Sequence, residues 1–162
     1  MAIEISDIPL SLIVYDFDGV MTDNTVIVGE DGRESVICNR SDGLAVSIIK
    51  EWGLLQIIIS TEENDVVACR AKKLKIPVIH GIAKKNEAVF AYCKDKNIKL
   101  EETLYIGNDL NDLEAMLAVG YPVCPNDAYR EIKEISKLIL PVNGGHGVIR
   151  ELLYYLKKGK HD

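Results

Sequence analysis

At 162 residues the chain is the size of one domain, and a single domain over residues 1–162 is expected. A net charge of −6 argues against a nucleic-acid platform, which would show a basic stripe, and a hydrophobic content of 48% suits an ordinary α/β core. No apolar run approaches the roughly 18 residues of a membrane span, and Met1-Ala2-Ile3-Glu4 lacks the basic-then-apolar pattern of a secretory leader, so no membrane partner is expected. Cys38, Cys69, Cys93 and Cys124 form no C-x-x-C pair, and His80, His146 and His161 are scattered. They read as reduced packing residues of a cytoplasmic protein, not as a disulfide or zinc framework.

In chain order, the apolar run 10–15 reads as a strand that ends in Asp16-Phe17-Asp18-Gly19. In extended chain, residues i and i+2 point the same way, so Asp16 and Asp18 crowd one spot. Two like charges that close lift one pKa unless a cation separates them. The pair therefore asks for a divalent metal, a shared proton, or chemistry that uses one of each. The bland alternative is a turn in which Asp18-Gly19 only reverses the chain.

Residues 25–29 and 34–39 alternate around Glu30-Asp31-Gly32-Arg33 and read as a β-hairpin. Asp42 is placed to cap a helix over 43–52 that Gly53 ends. The run 54–59 is a second strand, closing on Ser60-Thr61-Glu62, and Val66, Val67, Arg70, Ala71 and Leu74 mark a helix before Pro77. Val78-Ile79 leads through Gly81-Ile82-Ala83-Lys84-Lys85 into a helix over 86–97. The run 103–106 ends in Gly107-Asn108-Asp109-Leu110-Asn111-Asp112, followed by a short helix over 113–119. Short strands at 123–124 and 138–140 flank a helix over 128–135 capped by Asn126 or Asp127, and Gly144-Gly145-His146-Gly147 opens a final helix over 148–158.

Strands alternating with helices argue βα units in a parallel sheet: an α/β, Rossmann-like, doubly wound fold with a small hairpin insertion. Ligands of such sheets bind outside the carboxyl ends of the strands, at the switch point. Asp16, Asp18, Ser60, Lys85, Asn108 and Asp109 all project there. Ser60 as a mere helix cap and Lys85 as a mere exposed lysine are the plain readings of each residue taken alone. The spacing leaves no room for a cap domain: Asp18 to Ser60 holds only the hairpin and one helix. A small charged substrate in an open site loses the benefit of excluding water, so either the substrate is large or another subunit closes the site.

With these motifs in order, the chain resembles the phosphohydrolases of the haloacid dehalogenase superfamily along essentially its whole length. Within them it is most similar to the capless phosphatases of 2-keto-3-deoxy sugar acids, acting on octulosonate 8-phosphate or nonulosonate 9-phosphate. Gly144-Gly145-His146-Gly147-Val148-Ile149-Arg150-Glu151 resembles that subgroup's C-terminal element. The resemblance implies Asp16 as nucleophile, Asp18 as general acid and base, Ser60 and Lys85 as phosphoryl partners, and Asp112 as the residue orienting Lys85 or a metal-bound water. It implies Mg²⁺ on Asp16, Asp18 and Asn108 or Asp109. The family usually carries Asp where Asn108 stands, and sialic-type members carry Gly-Asn. Thr61-Glu62 replaces the Gly-Arg of the octulosonate type, and Glu62, with Ser41 before Asp42, favours the nonulosonate type. Arg70, Lys73 or Arg150 would supply the cation for the sugar's carboxylate, Lys73 being equally readable as a solvated helix charge. The subgroup is tetrameric, each subunit covering its neighbour's site. Two other readings are an assembly module like the domain fused to acylneuraminate cytidylyltransferases, and a receiver-type signalling domain. Asp16-x-Asp18 on the first strand disfavours the latter.

Overall fold

Three strands at the centre of the molecule are apolar on both faces, which is the pattern of a parallel sheet covered on both sides. They are β1 (Leu12–Tyr15), β4 (Leu55–Ile59) and β6 (Thr103–Ile106), buried throughout except at Leu55. The computed structural model describes residues 8–158; Met1-Ala2-Ile3-Glu4 and His161 lie outside the described residues. The other strands are β2 (Ile27–Val28), β3 (Glu34–Ser35), β5 (Val78–Ile79), β7 (Tyr121–Pro125) and β8 (Leu138–Leu140). The main sheet is six-stranded, ordered β5-β4-β1-β6-β7-β8, and every pairing in it is parallel. Leu12 pairs with Leu55 on one side and Thr103 on the other, so β4 and β6 flank β1 in matching register.

The helices are α1 (Arg40–Glu51), α2 (Val66–Leu74), α3 (Lys85–Lys96), α4 (Leu113–Ala118), α5 (Arg130–Ile135) and α6 (Val148–Lys158). Alternate strand residues send their side chains to opposite layers. Ile13, Tyr15, Ile58, Leu104 and Ile106 pack with α1, α2 and α6. Leu12, Val14, Ile57, Ile59 and Tyr105 pack with α3, α4 and α5. The chain steps from β1 to β4 and β5, then returns across to β6. The switch point therefore lies between β1 and β6, at the ends that carry Asp16 and Asn108.

Several boundaries differ from expectation. The hairpin pairs only through β2 and β3, with an isolated bridge from Thr22 to Cys38 at its base. Helix α1 starts at Arg40 and not at Gly43, because Asn39, in extended backbone, accepts the Ser41 N–H on its side chain at 2.9 Å. Asp42 does not cap α1. Its Oδ1 accepts the N–H groups of Ile149 and Arg150, each at 3.0 Å, so it caps α6 from the neighbouring helix. Helix α5 begins at Arg130 with no side-chain cap, since Asp127 instead accepts the Gly144 N–H at 2.8 Å. Strand β7 runs longer than expected because Tyr121 and Pro122 continue the pairing with β6.

Candidate active site

Lys85, the first residue of α3, is buried, and its Nζ donates to Asp16 Oδ1 and Asp112 Oδ1, both at 2.7 Å. An ammonium so deep is tolerated only where carboxylates surround it. Burial works against its charge, but Asp16 and Asp112 outweigh burial and hold its pKa above the ordinary lysine value. Asp112 is fully satisfied by its own surroundings. Its Oδ1 also accepts the Tyr105 hydroxyl at 2.8 Å, and its Oδ2 accepts the backbone N–H groups of Asn108 at 2.9 Å and Asp109 at 3.3 Å. Gly107 permits this turn: a Cβ there would fall 2.6 Å from the Asp112 Cβ.

Asp16 follows directly on β1 and offers Oδ1 to Lys85 and to the Phe17 N–H at 2.7 Å. Burial, joined by the Asp112 charge, presses its pKa well upward against the pull of Lys85 and Phe17. Two buried carboxylates thus share one ammonium, and the cluster is short of positive charge. The Asp16 Oδ2 faces Asn108. One terminal atom of the Asn108 amide lies 2.9 Å from that oxygen and 3.0 Å from the Asp18 carbonyl oxygen. With nitrogen in that position, the amide donates two hydrogen bonds. With oxygen there, three oxygens converge on one point, a donor set that suits a hard divalent cation such as Mg²⁺. Among the described residues no three His, Cys, Asp or Glu side chains group to hold a metal. The cation fits here through one carboxylate, one backbone carbonyl and one amide.

This arrangement refines how the expected metal ligands would take part. Asp18 presents its backbone carbonyl, while its carboxylate accepts the Thr22 hydroxyl at 3.2 Å. Asp109 lines the crevice, but its Oδ1 accepts the Leu110 N–H at 2.7 Å and caps the turn Leu110–Asp112. Gly19 makes the approach of Asn108 possible through a positive φ of 81° and the lack of a Cβ.

The crevice over these groups has a volume of about 200 Å³, lined by Asp16, Asp18, Asn24, Ser60, Thr61, Asn108, Asp109 and Asn111. Ser60 follows directly on β4 and is buried; its Oγ accepts the Glu62 N–H at 3.1 Å, and α2 starts only at Val66, so it is no helix cap. Burial pushes the Asp18 carboxyl up from its ordinary value, and Glu62 and Glu34 add to this against Thr22 and Lys85.

Thr61 lines this crevice, and Glu62 stands in the cavity beside it. The other expected substrate residues lie elsewhere. Ser41 bonds to Asn39 within the α1 cap. Asp42 is buried against α6, and Arg150 meets it through its backbone while its own side chain is exposed. Arg70 donates to the Asn39 carbonyl at 3.1 Å, and with Lys73 it lines a separate groove of about 590 Å³ between α1 and α2. Tyr105, Asn24, Asn111 and Glu34 belong to the site surroundings and escaped the sequence reading. Tyr105 looks like any apolar strand residue, and nothing local to Asn24, Asn111 or Glu34 marks them.

The sequence profile of haloacid dehalogenase-like hydrolases matches residues 45–152. The structure of a protein of Streptomyces avermitilis assigned to the HAD family of hydrolases is 42% identical, with a TM-score of 0.89 over 91% of this chain and 85% of its own. The 3-deoxy-D-manno-octulosonate 8-phosphate phosphatase of Moraxella catarrhalis, solved with magnesium, phosphate and KDO, is 29% identical with a TM-score of 0.91, covering 95% of this chain and 89% of its own. The enzyme of the same name from Haemophilus influenzae is 27% identical over 144 residues, 88% of this chain and 80% of its own. The chain belongs to the haloacid dehalogenase-like hydrolases. Within that family it resembles the capless octulosonate phosphatase type in both sequence and fold.

Proposed function

We propose that the protein is a Mg²⁺-dependent phosphatase of a 2-keto-3-deoxy sugar acid phosphate, with nonulosonate 9-phosphate preferred over octulosonate 8-phosphate. The observation that carries it is the Asp16–Lys85–Asp112 cluster, opening through Asp16 onto a crevice that Asp18 and Ser60 share. The resemblance to the octulosonate phosphatases of Moraxella catarrhalis and Haemophilus influenzae supports the substrate class.

Asp16 attacks phosphorus and forms an aspartyl-phosphate as the ester oxygen leaves. Asp18 protonates that oxygen, a task suited to a carboxyl lifted by burial, and then takes a proton from the water that cleaves the acyl-phosphate and frees inorganic phosphate. Ser60 donates a hydrogen bond to the phosphoryl group, and Lys85 offsets charge on Asp16 and the phosphoryl oxygens. Asp112 keeps Lys85 in place, itself held by Tyr105 and two backbone amides. Mg²⁺, when bound, supplies the positive charge that lets an anionic phosphate approach an anionic carboxylate. Asp16, the Asp18 carbonyl and the Asn108 amide are the groups that would hold it.

The reading includes self-association, as a homotetramer in which another copy covers the crevice. The exposed apolar side chains of the hairpin, Ile27 at 63% and Ile37 at 68%, support it. Phosphate release from the two sugar acid phosphates, with and without Mg²⁺, tests the proposal. Release that requires Mg²⁺, is lost in Asp16→Asn and is faster on the nine-carbon acid is expected. No release from either acid overturns it.

A further inference from the structure

The Thr22 hydroxyl is a junction of three hydrogen bonds, each at 3.2 Å: it accepts the N–H groups of Gly19 and Asn24 and donates to Asp18 Oδ1. A hydroxyl has two lone pairs and one proton. The two N–H donors take the lone pairs, so the proton has one place to go, the Asp18 carboxyl. The junction is held from several sides. Thr22 is fully buried, and branching at Cβ keeps its χ1 stiff. Its backbone N–H donates to the Phe17 carbonyl at 3.2 Å, and a β-bridge joins it to Cys38 at the base of the hairpin. The glycine turn before α6 packs directly on it. A Cβ on Gly145 would fall 2.6 Å from the Thr22 carbonyl carbon, and the Gly145 N–H donates to the Val20 carbonyl at 3.0 Å. The Asp18 carboxyl, in contrast, is half-buried and makes no other side-chain hydrogen bond among the described residues. Its Oδ2 is therefore the unengaged oxygen, on a residue that lines the crevice.

Resting on the phosphatase reading of the crevice, we infer that Thr22 is a positioning residue that divides the work between the two oxygens of Asp18. Oδ1 is the anchor, and Oδ2 is the oxygen that hands its proton to the leaving group. A proton on Oδ1 would point at the hydrogen that Thr22 already directs there, so the transferable proton belongs on Oδ2. In the step itself, the Asp16 carboxylate forms a bond to phosphorus and the bond from phosphorus to the ester oxygen breaks. The proton passes from Asp18 Oδ2 to that oxygen, which leaves as an alcohol, and Asp18 is left as the carboxylate. Thr22 touches no reacting atom; buried below the crevice, it acts only through the direction in which it holds Asp18. The glycine turn acquires a purpose in the same scheme. Gly144 and Gly145 let the start of α6 approach the loop after β1 closely enough to brace Thr22, and through it the acid.

Two esters that differ in their need for a proton separate this role from a structural one. 4-Nitrophenolate departs from phosphorus unaided, whereas the alkoxide of nonulosonate 9-phosphate needs a proton. The ratio kcat/KM covers the steps up to departure of the leaving group, so it reads Asp18 as acid and not the later attack of water. In Thr22→Val, kcat/KM on nonulosonate 9-phosphate is expected to fall by at least about tenfold, and on 4-nitrophenyl phosphate by less than about threefold. Thr22→Ser, which keeps the hydroxyl, should stay within about threefold of native on both esters. Equal losses on the two esters, or a loss in Thr22→Ser as deep as in Thr22→Val, overturn the inference. Crystal structures of the native protein and of Thr22→Val give a readout that needs no turnover. One Asp18 orientation in the first and a changed or split one in the second is expected; the same single orientation in both overturns the inference. If Thr22→Val does not fold, Thr22→Cys, with its weaker thiol donor, replaces it in both measurements with the same outcomes. Native protein that releases phosphate from neither ester refutes the phosphatase reading, and the two crystal structures then decide whether Thr22 sets Asp18.

Discussion

A Cβ on Gly19 would fall 1.8 Å from a terminal atom of the Asn108 amide, so any side chain at residue 19 would collide with Asn108 where it now sits. The contact joins the loop after β1 to the loop after β6 across the switch point. The Asn108 backbone is tied in place by its N–H, which donates to Asp112 at 2.9 Å, so a side chain at residue 19 would have to displace the Asn108 amide. Gly19→Ala also meets a φ of 81°, a left-handed backbone that alanine adopts only under strain. The expected result is a folded protein that loses activity by about a hundredfold, the usual consequence of moving a reacting group by about an ångström. Phosphate release beside a thermal melt checks this: a variant with unchanged activity would show that Asn108 does not need to sit on the Asp18 carbonyl.

Asn108 brings an oxygen without a charge to the candidate cation position. Asn108→Asp adds one negative charge to the donor set, next to Asp16. Hard divalent cations gain affinity with each carboxylate in the shell. The Mg²⁺ concentration for half-maximal activity should therefore drop by roughly tenfold in Asn108→Asp. Chelation with EDTA should stop turnover in both proteins, and Mg²⁺ should restore it. Half-saturation at the same or higher Mg²⁺ in the variant would remove Asn108 from the donor set.

How much of this was legible in sequence follows the range of each interaction. The central strands were readable because a strand buried on both faces must be apolar at every position, and 12–15, 55–59 and 103–106 are nearly so. Asp16, Ser60 and Lys85 were readable because strand ends and the loops after them lie along one edge of a parallel sheet, whereas Asp112 was reached only through the family resemblance. Asp42 was misread because an Asp ahead of a Gly looks like a local cap, whereas its partners Ile149 and Arg150 lie on another helix. Arg70 and Lys73 show helical spacing, but spacing does not say whether a face turns to the crevice or to the groove between α1 and α2. Glu34 came into reach of Asp18 through the path of the hairpin, which no short-range pattern encodes.

The buried Lys85 should dominate stability as well as chemistry. Lys85→Met removes the ammonium and leaves the Asp16 and Asp112 carboxylates facing each other without it. Breaking a buried ion pair from one side costs about 3–5 kcal/mol. Tyr105→Phe removes a single hydrogen bond from a carboxylate that keeps three others, and a loss of about 1 kcal/mol follows. Denaturant unfolding of the two variants should therefore differ by more than about 2 kcal/mol. Equal losses would mean that Asp16 and Asp112 accommodate each other without Lys85.

Asp42 sets a pH dependence at the seam between α1 and α6. Burial raises its pKa from 3.8 to about 6, against the opposing pull of the Arg150 and Ile149 N–H groups and the Arg70 charge, and its Oδ2 is buried without a hydrogen-bond partner. An acid raised in the folded state binds its proton more tightly there than in the unfolded chain. Between 3.8 and about 6 the folded state holds the extra proton, so this group's contribution to stability falls as pH rises through that window and levels off above it. The span amounts to about 2–3 kcal/mol. Asp42→Asn keeps an oxygen for the α6 amides and has no proton to lose. Its melting temperature should change less between pH 4 and pH 7 than that of the native protein, with the gain over native largest at the upper end. Asp42→Ala also flattens the profile but gives up the α6 cap, a loss of about 1 kcal/mol at every pH. Parallel pH profiles for native and Asp42→Asn would place the raised acid elsewhere in the fold.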